Sequence, residues 1–135
     1  VISLISKIRE EVNRFIVSEM ERYGLDGIAT SHGDIIYSLF KNPRLTMAEI
    51  SKGINKDKST VTALVEKLVR LGYVTKERSK EDTRVVYVAL TNKGRELEPA
   101  FDAISEKLLT VFYSNISDKE KKDVLSVLTK IYNNF

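Results

Sequence analysis

Residues 46–68 read TMAEISKGINKDKSTVTALVEKL. The stretch predicts two helices separated by a tight turn. Thr46 and Glu49 have capping-box spacing: the threonine oxygen can accept from the Glu49 amide while the glutamate reaches back to the Thr46 amide. A short helix follows, from Met47 to about Lys52, with Gly53 as its stop. Asp57 is the candidate N-cap of a second helix over 58–71. Its apolar residues Val61, Leu64, Val65, Leu68 and Leu71 share one face at helical spacing. Gly72 closes it.

The first turns of that second helix carry Lys58, Ser59, Thr60 and Thr62, which are short or basic polar side chains off the apolar stripe. A DNA-recognition helix needs this arrangement. Its N-terminal end enters the major groove, its amides favour phosphate, and short side chains allow close approach to base edges. A solvated amphipathic helix shows the same local pattern, so this segment alone leaves both readings open.

Downstream, Tyr73-Val74-Thr75 reads as a strand, residues 79–82 as a polar turn and Arg84–Leu90 as a second strand, together a hairpin. Thr91 is the candidate N-cap of a long helix over about 92–115, with Pro99 near its first turns marking a kink or a late start. Ser117 to Glu120 has capping-box spacing again and opens a last helix carrying Val124, Leu125, Leu128, Ile131 and Tyr132. Upstream, residues 2–23 are helical by the recurrence of Ile5, Ile8, Val12, Phe15, Ile16 and Met20. Thr30 or Ser31 caps a further helix that Asn42-Pro43 ends. A short helix, a turn, a longer helix and a hairpin make a winged helix-turn-helix. The expected class is mainly α with a small β-hairpin wing.

Composition bounds the function. The 135 residues suit one domain, and no apolar run approaches the ~20 residues of a membrane span. No secretory signal is evident, and the expected location is the cytoplasm. With no cysteine and one histidine, disulfides, thiol chemistry and a tight transition-metal site are not expected. No nucleophile motif or phosphate-binding glycine loop is present, so neither an enzyme nor a cofactor is expected. Net charge is only +3, but residues 52–84 hold nine basic and five acidic side chains, leaving the remainder at −1. A local basic patch is the footprint of a phosphate binder, although a solvated surface can carry the same balance.

Residues 68–94, LVRLGYVTKERSKEDTRVVYVALTNKG, extend the pattern. Here the chain resembles the multiple-antibiotic-resistance-regulator (MarR) family of transcription regulators. The resemblance rests on Leu68-x-x-x-Gly72-Tyr73-Val74, on Glu81-Asp82-x-Arg84, and on Leu90-Thr91-x-x-Gly94. It also rests on the runs Ser59-Thr60-Val61-Thr62 and Leu64-Val65-Glu66-Lys67-Leu68. It implies one domain over 1–135, in which residues 30–95 form the DNA-binding part and 1–29 and 96–135 supply dimerisation helices. The implied function is a homodimer on a palindromic operator in double-stranded DNA, commonly a repressor released by a small-molecule effector. Apolar stripes on helices 2–23, 97–112 and 124–132 exceed what one small winged unit can bury, which also points to a symmetric dimer.

The DNA-binding candidates are Lys56, Lys58, Ser59, Thr60, Thr62, Lys67, Arg78, Lys80 and Arg84. Arg84 follows the wing turn, where a planar guanidinium can enter a narrow minor groove. Lys80 and Arg78 are expected at phosphates, which position without reading sequence. Asp82 would repel phosphate, and by resemblance it holds Arg84 or the turn. The chain departs from the family at Thr83, where a first arginine is frequent, and at Lys56, where many members are apolar. His32 and Tyr37 lie near where family members bind effectors. The favoured reading of His32 is a local helix-start hydrogen bond, and tyrosines at helical spacing such as Tyr37 and Tyr113 are mostly core. The competing reading is a winged-helix module that contacts protein rather than DNA.

Overall fold

The computed structural model describes residues 1–25 and 27–135. Helix α1 (Ile2–Arg22) leads to α2 (Thr30–Lys41), a two-residue strand β1 (Leu45–Thr46), α3 (Met47–Ile54) and α4 (Lys58–Arg70). Strands β2 (Val74–Arg78) and β3 (Val86–Leu90) follow, then α5 (Asn92–Arg95), α6 (Glu98–Phe112) and α7 (Asp118–Asn133). The mainly helical winged architecture is the one expected.

The helix-turn-helix is set by its caps. Thr46 Oγ1 accepts the Glu49 amide at 3.0 Å, and Glu49 Oε1 accepts the Thr46 amide at 3.0 Å. The Thr46 backbone amide first, and its side chain second, hold the Glu49 carboxyl below its ordinary range. Asp57 Oδ1 accepts the Thr60 amide at 2.7 Å and starts α4. The expected stop at Gly53 is corrected: Gly53 lies inside α3, and Asn55 takes the left-handed conformation (φ 54°, ψ 50°) that ends it. Asparagine tolerates that conformation better than most residues. Helix α4 ends with Gly72 at φ +82°, while the Tyr73 amide donates to the Leu68 carbonyl at 3.0 Å and the Gly72 amide to that of Val69.

The wing is longer than the sequence shows. Val74 pairs with Leu90, Lys76 with Val88 and Arg78 with Val86, so β2 runs three residues beyond Thr75 and β3 starts at Val86 rather than Arg84. Lys76, Glu77 and Arg78 are exposed, and backbone pairing alone makes them strand. Strand β1 pairs on the other edge of β3, giving the order β1-β3-β2. Two residues are too few for a periodic signal.

The expected helix over 92–115 is two helices. Thr91 caps α5 by accepting the Gly94 amide at 3.1 Å. Pro99 then sits in the first turn of α6, where its missing N–H costs nothing. The expected cap of α2 at Thr30 or Ser31 shifts to Ala29. The Thr30 hydroxyl instead donates to Asn13 Oδ1 of α1.

One cluster of buried side chains joins Met20 of α1, Ile35, Ile36 and Leu39 of α2, and Ile50 of α3. It continues through Val61, Val65 and Leu68 of α4, Val74 and Val88 of the sheet, and Phe101 and Ile104 of α6. At its edge, buried Glu19 accepts from Lys107 Nζ at 2.8 Å and Arg22 Nη1 at 3.2 Å, tying α1 to α6. The Lys107 hydrogen bond is the largest influence holding Glu19 below its ordinary pKa. The rest of the apolar surface is not covered. The first half of α1 is exposed, and no residue of α7 is buried.

Candidate nucleic-acid interface

Lys58, Ser59 and Thr60 occupy the first turn of α4, and all three are exposed. Thr62, half-buried, turns its hydroxyl back to the Lys58 carbonyl at 2.8 Å. Lys56 is exposed in the turn that leads in. The structure therefore brings five of the expected residues together at one helix end. The Thr60 amide already donates to Asp57 and is unavailable to a phosphate. The same bond, ahead of the nearby Lys56 charge, depresses the pKa of Asp57.

The wing carries the second group. Ser79 and Val85 close the loop through the Ser79 amide and the Val85 carbonyl at 2.8 Å. Ser79 Oγ accepts the amides of Glu81 and Asp82, each at 3.2 Å. Asp82 then holds Arg84 three times: Oδ1 accepts its backbone amide and Nε, and Oδ2 accepts Nη2, all at 3.1 Å. This pairing keeps the Asp82 carboxyl below its usual range, the Arg84 side chain first and its amide second. The Arg84 side chain is 89 % exposed, so its remaining guanidinium donors face outward from a fixed orientation. Lys80 is exposed beside it. Arg78 is exposed as well, and one of its guanidinium nitrogens, Nη1, donates to the Thr83 carbonyl across the turn.

Lys67 sits apart from both groups. It is half-buried, and its ammonium donates to the Gly27 carbonyl between α1 and α2. His32 and Tyr37 do not share a pocket. His32 is buried, and its Nδ1 accepts the Ala29 amide at 2.9 Å, which is the local helix-start bond. Burial chiefly, with the Lys67 charge, lowers its pKa. Tyr37 lines a cavity of about 210 Å³ with Ile16, Met20, Phe101, Ile104 and Leu108, among others, and His32 is not in that lining. Tyr113 stacks edge-on against Phe112 at 5.0 Å between ring centroids.

One basic residue escaped the sequence reading. Arg44 lies 3.8 Å over the Tyr87 ring and shares a concavity of about 270 Å³ with Arg78, Ser79 and Lys80. Its proximity to the wing depends on β1, so nothing local announces it. Among the described residues no group of three His, Asp or Glu side chains is placed to hold a metal ion. No helix of those residues is long and apolar enough to cross a membrane.

Residues 32–100, which span α2 to the start of α6, match the model of the family described as transcriptional regulator SarA/Rot. The chain belongs to that family. SarA/Rot regulators have the MarR-type winged helix, so the resemblance read in the sequence holds. The chain is a DNA-binding helix-turn-helix transcription regulator and not an enzyme. It is 29 % identical over 100 residues to the HTH-type transcriptional regulator SarZ of Staphylococcus haemolyticus, covering 74 % of this chain and 67 % of that protein. A MarR transcriptional regulator from Methanosarcina mazei superposes with a TM-score of 0.83 at 26 % identity, covering 98 % of this chain and 93 % of the other. The MepR–DNA complex of Staphylococcus aureus gives a TM-score of 0.90 at 24 % identity, over 98 % and 96 % of the two chains.

Proposed function

We propose that this SarA/Rot-type regulator is a single-domain protein that acts as a homodimer. Its two winged units read the half-sites of a palindromic operator, and it represses until a small molecule releases it. The observation that carries the DNA reading is the wing: Arg84 is almost fully exposed yet locked to Asp82. An arginine held in that way has lost its side-chain freedom before DNA arrives, which lowers the entropy cost of binding. Lys56, Lys58, Ser59, Thr60 and Thr62 supply the major-groove end, and Lys80 with Arg78 the wing phosphates. MepR, which shares this fold, has been solved with DNA.

Dimerisation is supported by what α7 lacks. Val124, Leu125, Val127, Leu128, Ile131 and Tyr132 are all exposed, as are Leu109, Val111 and Phe112 of α6 and Leu4, Ile5 and Ile8 of α1. Apolar stripes exposed to this extent on three helices need a partner, and a second copy closes them symmetrically. Leu128→Asp would bury an unpaired carboxylate there, at a cost of several kcal/mol. It is expected to raise the dimer dissociation constant by at least about a hundredfold. Sedimentation velocity reads this directly, and a monomeric parent chain would sink the dimer.

The Tyr37-lined cavity lies where α1, α2 and α6 meet, between the proposed dimer helices and the winged part. A ligand there acts only through different affinities for the two spacings of the recognition helices. Lys58→Ala tests the other end. It is expected to weaken operator and random duplexes alike and to reduce the salt slope by about 1.8, as loss of one phosphate contact from each chain of the dimer does. A loss confined to the operator makes Lys58 a base reader instead.

A further inference from the structure

We propose that Lys67 is a positioning residue for DNA binding, setting the attitude of the recognition helix by tying it to the turn that follows α1. The inference rests on α4 being the helix that reads DNA. Lys67 lies in the third turn of α4, and its ammonium donates to the carbonyl of Gly27, forty residues earlier in the chain.

Gly27 has φ +80°, and Leu25 and Ile28 beside it are 4 % and 5 % exposed and pack in the core. Apolar packing of Val61, Val65 and Leu68 sets which face of α4 meets the core, and the Lys67 bond adds a directional restraint toward its C-terminal end. A charge-assisted hydrogen bond is directional and is roughly twice as strong as a neutral one. Lys67 supplies the direction. The turn after α1 thereby becomes an input to α4, and a displacement of α1 relative to α2 is felt at the recognition helix. A lysine committed to this carbonyl does not serve as a phosphate contact, so its removal must show a different salt signature from that of Lys58.

The test is fluorescence anisotropy of the full chain on a duplex from its own upstream region and on a scrambled duplex, over a salt series. Lys67→Met is expected to lose roughly two- to thirty-fold in affinity for the upstream duplex. Its salt slope should be unchanged and its melting temperature close to that of the parent, with Lys67→Arg restoring affinity. Unchanged affinity overturns the proposal, and so does a slope shallower by about two units, one for each chain of the dimer, which would make Lys67 a phosphate contact. Lys58→Ala, run alongside, separates the two levels. If it weakens binding while Lys67→Met does not, the tie fails and the reading of α4 stands. If neither changes binding, α4 is not the reading helix and both fail. Should Lys67→Met not fold, NMR of the parent chain with ¹⁵N-labelled lysine decides. An ammonium signal unmoved by the duplex supports the tie, and a coupling to ³¹P overturns it.

Discussion

Gly94→Ala is expected to destabilise the fold by about 3 kcal/mol or more, the upper end of the range for overpacking. A Cβ at Gly94 would stand 2.2 Å from the Tyr73 carbonyl oxygen and 2.9 Å from Leu90 Cδ2. Neither can retreat cheaply. The Tyr73 carbonyl accepts the Thr91 amide at 3.0 Å, and the backbone on its other side is held by the Gly72 turn. Thr91 uses its own hydroxyl twice, accepting from Gly94 and donating to the Gly72 carbonyl. The close approach of α5 to the start of β2 is therefore what sets the base of the wing. Thermal unfolding should show a melting temperature lower by roughly 10 °C or more. The same change at Gly53, whose Cβ would meet nothing within 4 Å, should leave the fold intact. A melting temperature for Gly94→Ala within a degree or two of the parent would mean that the corner is far softer than its hydrogen bonds imply.

Arg84→Ala should cost about 1–3 kcal/mol of affinity for the operator while leaving the dimer and the melting temperature unchanged. The side chain is 89 % exposed, so the fold does not depend on burying it. Asp82→Ala separates contact from orientation. It frees the guanidinium that Asp82 now grips at both Nε and Nη2. It also removes a negative charge from the wing. Operator affinity should then fall while affinity for random duplexes rises, since the electrostatic term common to all DNA becomes more favourable. Because Arg84 holds the Asp82 carboxyl below its usual range, the pair should persist into mildly acid solution. Equal losses on both duplexes for Asp82→Ala would contradict a positioning role.

Features closed within three or four residues were legible in the sequence. The Thr46–Glu49 and Ser117–Glu120 boxes and the Asp57 cap form as read, because each needs only its own turn of helix. Asp82 holds Arg84, two residues away, which is one of the two roles that the family resemblance implied. Features closed across the chain were not. Strand β1 exists through its pairing with Val88 and Tyr87. Arg44 is brought over Tyr87 and beside the wing by that pairing, and Lys67 turns to Gly27. Gly53 carries the usual mark of a helix stop, yet α3 continues to Ile54 and leaves the left-handed position to Asn55. His32, by contrast, makes the local helix-start bond that its position suggested, accepting the Ala29 amide three residues away. The apolar stripes of α1, α6 and α7 were visible as stripes, and the structure shows how much of each stays uncovered in one chain.

The central claim is that the exposed end of α4 and the Arg84 wing together read double-stranded DNA as a pair of chains. The most direct measurement is binding to the chain's own upstream DNA and to a scrambled duplex across a salt series, with stoichiometry determined at saturation. The account predicts two chains per site, a clear preference for the upstream duplex, and a log–log salt slope of several negative units. No binding to either duplex at low salt, or tight binding indifferent to salt, would contradict it and favour a winged helix that docks on protein.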